Sequence, residues 1–88
     1  MNIPTINMEA TGKNIVMLRK SKGLTVRQIQ ETLGFEQPQA IYKWQWGHTL
    51  PSVDNLIILS FIFGTTIDNI LVLDSQSEDV VFLIFALF

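Results

Sequence analysis

Between positions 11 and 72, apolar residues recur every three or four positions in short runs: Ile15 and Leu18; Val26, Ile29 and Leu33; Ile41 and Trp44; Leu56, Leu59 and Phe63; Ile67, Ile70 and Leu71. This is the period of helices with one buried stripe, and a glycine closes each of the first four runs. The residues ahead of them, Met1 to Ala10, hold Pro4 and scattered apolar positions and read as an extended arm. The first helix is expected from about Gly12 to Lys22, capped by Thr11, with Gly23 as its left-handed end. The second carries the clearest start signal, a capping box of Thr25 and Gln28 with Leu24 stapled against Ile29. Gly34 closes it and Phe35 plugs the turn that follows.

The third helix is expected to begin near Pro38, whose missing N–H costs nothing at a first helical position. At about 100° per residue, Ile41 and Trp44 point inward while Gln39, Tyr42, Lys43 and Trp46 gather on the opposite side. Gly47 ends this helix, and His48 to Pro51 form a loop. Ser52 caps a fourth helix with Asp54 in its first turn. That helix departs from the simple pattern. Ile57, Ile58, Phe61 and Ile62 add a second apolar face to Leu56, Leu59 and Phe63, so both sides call for cover. Thr66 caps a short fifth helix. The chain then turns polar from Asp74 to Asp79 and ends in nine apolar residues, VVFLIFALF. A membrane span needs about 20 such residues, so this tail is too short to cross a bilayer unaided. Helix and strand both suit it. It is expected to cover the spare face of the fourth helix, within one chain or across a dimer, because an exposed strip of this kind aggregates. The organisation is thus an arm at 1–10, a helical domain at 11–73, and a polar linker with a hydrophobic tail at 74–88.

Composition narrows the function. The chain is 88 residues long, enough for one domain with a modest core and no disulfides, and it contains no Cys. That removes thiolate metal sites and cysteine nucleophiles. The single His48 has no metal-ligand spacing to another candidate, the glycines terminate helices, and the carboxylates sit at element starts where capping explains them. An enzyme is not expected, and neither is a catalytic residue, a cofactor or a metal. The first ten residues lack a basic and then apolar leader pattern, so a cytoplasmic protein is the default. The net charge of −2 is unfavourable for nucleic acid, but its distribution is uneven. All six basic residues lie between Lys13 and Lys43, whereas the five acidic residues after Trp44 meet no basic one. One positive surface on an acidic molecule follows, unless these are merely solvated helix faces. On the third helix, two aromatics, an amide and a lysine supply donors, acceptors and flat apolar surface, the means of reading base edges in a major groove. A packing face for another protein chain is the alternative.

These residues carry a resemblance. From Thr11 to Val72 the chain resembles the lambda-repressor-like, Cro/CI-type (XRE) helix-turn-helix domains. The marks are Gly12, Ile15 and Leu18-Arg19; Gly23-Leu24-Thr25, Ile29 and Leu33-Gly34; Ile41, Trp44 and Gly47; Pro51-Ser52 and Leu56; and Thr66-Ile67-Asp68 with Ile70-Leu71. The resemblance implies an all-α, compact five-helix DNA-binding domain of a dimeric transcriptional regulator, most often a repressor. It makes the third helix the recognition helix, with Gln37, Gln39, Ala40, Tyr42, Lys43 and Trp46 as base-contacting candidates. Thr25, Val26, Arg27, His48 and Thr49 become phosphate-contacting candidates, the first three at a helix start that offers unpaired N–H groups. Double-stranded DNA is the implied partner, with a homodimer formed through the fourth or fifth helix and the apolar tail. Three departures stand out. Gln30 replaces a usual small residue beside a turn one residue longer than usual, Gln45 stands where a glutamate often pairs with the first helix's arginine, and the tail has no counterpart. The same fold also serves as an antitoxin, an anti-repressor or a protein-binding adaptor, and the acidic balance and aromatic helix keep that reading open. Membrane association through the tail is a third, testable by co-sedimentation with liposomes.

Overall fold

Seven elements follow one another in the computed structural model, which describes residues 3–74: β1 (Thr5–Ile6), α1 (Met8–Ser21), α2 (Val26–Leu33), α3 (Gln39–Gln45), α4 (Val53–Phe63), α5 (Ile67–Ile70) and β2 (Leu73–Asp74). The five helices agree with the periodicity. Residues contributed by all five make one core: Ile15, Ile29, Ile41, Trp44, Leu56, Leu59, Phe63 and Ile70, with Phe35 meeting Trp44 edge-on at 5.9 Å. The expectations for the linker and tail at 75–88 lie outside the described residues.

The start of α1 corrects the sequence reading. The helix begins at Met8, inside the expected arm, and its cap is Asn7, whose side-chain oxygen accepts from the Ala10 N–H at 2.9 Å. Thr11 is not the cap. It is completely buried, and its hydroxyl accepts from the Val72 N–H at 2.9 Å while lying 3.4 Å from the Val72 carbonyl. A threonine before a glycine resembles a cap locally, and nothing local reveals that Val72, just ahead of a strand near the end of the fold, has already claimed its hydroxyl. That strand is the other addition. β1 and β2 pair antiparallel, Thr5 with Asp74 and Ile6 with Leu73, and the Asn7 N–H continues the ribbon by donating to Val72 at 2.7 Å. Two-residue strands leave no periodic signal.

Gly12 sets the closest approach in the core. A Cβ there would lie 2.5 Å from the Trp44 carbonyl oxygen and 2.6 Å from that of Gln45, so α1 rests directly on the last turn of α3. The starts of α2 and α4 follow the expected chemistry. Thr25 and Gln28 form the complete capping box of α2, and Ser52 accepts from the Asn55 N–H at the start of α4. Pro38 is the residue before α3 rather than its first residue, and Thr66 precedes α5 without a side-chain cap bond. Leu71 lies just past α5 in extended conformation. Asn14 finishes α5 instead, donating to the carbonyls of Asn69 at 2.8 Å and Ile70 at 3.0 Å, which secures two carbonyls a helix end leaves free.

Candidate nucleic-acid interface

Two helices at a turn present the candidate surface, and the turn is built from Gln30. Its side-chain amide donates to the carbonyls of Phe35 at 3.3 Å and Glu36 at 3.2 Å, spanning the segment between α2 and α3. A small side chain at this position would not reach these carbonyls, and the glutamine does. Gly34 reverses the chain with φ 73°, a conformation costly for any residue with a Cβ.

α3 is held from behind. Ile41 is fully buried and Trp44 nearly so, which pins the orientation of the helix. Arg19 stitches the same region: Nε donates to the Gln45 amide oxygen at 3.1 Å and Nη1 to the Leu24 carbonyl at 2.9 Å. The amide therefore accepts where a carboxylate would have formed an ion pair, and Arg19 is committed to structure rather than to a ligand.

The outward side carries the candidate readers. Gln37 is exposed in the turn, Gln39 is exposed as the first residue of α3, and Lys43 is exposed one turn on. Ala40 is half-buried and packs against the core, which leaves only part of its methyl to a partner. Tyr42 and Trp46, 38% and 61% exposed, stack on each other at 5.8 Å with 23° between ring planes. Trp46 also meets His48 at 5.7 Å, tilted by 58°. Three flat rings thus form one ridge along the carboxyl half of α3. The i, i+4 spacing of Tyr42 and Trp46 signals their contact in the sequence. The His48 contact depends on the loop doubling back.

The phosphate candidates divide. At the start of α2 the Thr25 N–H already donates to Gln28 Oε1 at 2.8 Å and its hydroxyl accepts from the Gln28 N–H at 3.1 Å. Free donors there belong to the first helical turn, where Val26 and Arg27 have no preceding carbonyl within the helix to bond. Val26 turns its side chain to the core and offers only its N–H. Arg27 is exposed, paired at 3.2 Å with the also exposed Glu31, a contact worth at most about 1 kcal/mol and easily exchanged. After α3, the N–H groups of His48 and Thr49 point back to the Lys43 carbonyl at 2.9 and 3.4 Å, so only the imidazole and hydroxyl remain available. Electrostatically the surface is thinner than the sequence suggests. Arg19 is internal, Lys13 pairs with Glu9 in the first turns of α1, and Lys22 lies over Gly64 at the carboxyl end of α4. Arg27 and Lys43 are the cations that α2 and α3 themselves supply.

Solved structures share this fold. The chain is similar to a transcriptional regulator from Listeria innocua at 25% identity, covering 94% of this chain and 75% of that one with a TM-score of 0.65. It is similar to the clp gene regulator ClgR from C. glutamicum at 22% identity, covering 72% of this chain and 80% of that one, TM-score 0.61. The DNA-binding domain of BldD is similar at 17% identity over 74% of this chain and 93% of its own, TM-score 0.61. The five-helix fold is therefore one found in DNA-binding transcriptional regulators. No protein-family model matches the chain, and no curated protein matches it.

Proposed function

We infer that the chain is a helix-turn-helix transcriptional regulator of the Cro/CI type, binding double-stranded DNA sequence-specifically in the cytoplasm, most simply as a repressor. The observation that carries this reading is the division of α3: Ile41 and Trp44 lock one side into the core, while Gln39, Tyr42, Lys43 and Trp46 stand clear on the other. The solved structures sharing the fold include DNA-binding regulators, which supports the same reading. In it, α3 enters the major groove. Gln37 and Gln39 offer amides suited to adenine, Lys43 suits the acceptors of guanine, and the Tyr42–Trp46 ridge suits thymine methyls and the sugar wall. The first turn of α2, through the N–H groups at its start and Arg27, grips a phosphate with His48 and Thr49 on the far side. A homodimer joined through α4 or α5 and the C-terminal segment sets two copies of α3 in successive grooves.

Selection of bound duplexes from a random pool, followed by titration of selected against scrambled sequence, tests the assignment. A common motif with at least a hundredfold preference is expected, and equal affinity for both duplexes overturns base reading. The scarcity of cations on α2 and α3 favours one second reading, a protein-binding module such as an antitoxin or anti-repressor. Salt separates the two. Duplex binding through several phosphates weakens steeply from low to moderate salt, whereas an apolar protein contact does not.

A further inference from the structure

The outer side of α4 is an apolar ridge with nothing described above it. Val53, Ile57 and Phe61 follow one another at four-residue spacing and are 69%, 52% and 90% exposed, and Ile58 flanks them at 36%. Beside the ridge is a hollow of about 320 Å³ lined by Ile57, Ile58, Phe61, Ile62 and Thr32 of α2. No charged side chain lines it. We propose that this ridge is the seat of the chain's own C-terminal residues, Val80 to Phe88.

Three observations converge on that occupant. The first is chemistry: Val80 to Phe88 contains no polar residue, and the ridge asks for none. The second is where the chain leaves the described fold. Asp74 pairs with Thr5 at the amino end of α1, and the lead-in to α4 starts at that same end, because Gly47 lies against Met8 and Glu9. α4 then runs to Gly64, which lies beside Lys22 at the opposite end of α1. The departing chain and the loop that leads into α4 therefore share one end of the molecule, and α4 runs from that loop toward the other. The third is length. The five polar residues from Ser75 to Asp79 reach up to about 17 Å when extended. The 11 residues of α4 span about 16 Å, so nine residues are enough to lie along most of the ridge as either helix or strand. A tether this short holds the segment beside its own ridge at millimolar effective concentration, far above the concentration of other copies. Being apolar on every side, the seated segment keeps an outer face, which suits the dimer contact proposed above.

The chain has no Cys, so engineered pairs report cleanly. In the full-length chain, Phe61→Cys is combined in turn with Phe82→Cys and Phe85→Cys, and Ile57→Cys with the same two. Both ridge positions are exposed, and circular dichroism matching the parent confirms that each variant folds. Under mild oxidation, mass spectrometry is expected to find an intrachain disulfide in at least one pair, its yield unchanged by tenfold dilution. Disulfides formed only between chains, shown by mixing isotope-labelled and unlabelled protein, overturn the proposal in favour of exchange with a second copy. Thiols that stay free in all four pairs overturn it outright. Free thiols together with sedimentation on phosphatidylcholine vesicles give the ridge and segment to lipid. The test makes no use of DNA, so its failure leaves the regulator reading standing, and the converse holds.

Discussion

Gly12 shows how one missing methyl positions a surface on the other side of the molecule. Alanine in a helix interior normally gains about 0.5–1 kcal/mol over glycine. Here its Cβ would fall 2.5 Å from a backbone carbonyl of α3, which has no rotamer to yield, so overpacking of about 1–3 kcal/mol or more prevails. Gly12→Ala should therefore lower the melting temperature by several degrees in a thermal scan. It should also weaken duplex binding, since any relief moves α3. Gln30 acts on the same geometry from the turn. Gln30→Ala leaves the Phe35 and Glu36 carbonyls without that donor, and about 1 kcal/mol of stability should be lost by urea titration. Both are exposed enough for water to replace part of the bond, which keeps the cost modest. Neither role was readable beforehand. Gly12 looked like a mark of the first helix and Gln30 like an oddity, because each is defined by atoms from another element.

Among the elements, the proposed function gives α2 and α3 different duties, and substitutions should separate them. Lys43→Ala or Gln39→Ala is expected to relax base preference, costing about 1–3 kcal/mol on the selected duplex and little on others. Arg27→Ala should weaken binding to every sequence and reduce the slope of log affinity against log salt by about 1. Competition binding at two salt concentrations distinguishes the patterns. Thr25 belongs to neither group. Its capping bonds hold the start of α2, and Thr25→Ala should cost about 1 kcal/mol of stability in addition to any loss of affinity. The capping box, the buried stripes and the glycine ends of α2, α3 and α4 follow local rules, and were legible for that reason. α1 starts four residues before the expected position because Asn7, not Thr11, supplies the cap, a choice made by the ribbon with Val72.

For the molecule as a whole, charge is segregated more sharply than it is concentrated. Arg27 and Lys43 are the cations on the outer side of α2 and α3, so under the proposed DNA-binding reading a single copy would gain limited phosphate attraction and firm binding would call for two. Footprinting should show paired half-sites with centres about one helical turn, ~10 bp, apart. Insertion of five base pairs between them should abolish tight binding by placing the second site on the opposite side of the duplex. Unchanged affinity after the insertion would mean that each copy binds alone.

Hydrophobic spacing, caps and glycine stops were enough to specify five helices, the inward side of α3 and the outward group of Gln39, Tyr42, Lys43 and Trp46. These depend on contacts within a few residues, where periodicity and hydrogen-bond geometry are local. The pairing of β1 with β2, the burial of Thr11, the contact of Gly12 with α3 and the Gln30 bridge came only with the assembled fold. Each joins positions separated by a turn or by most of the chain, and a side chain's preference for one partner is settled by which atoms folding brings within reach.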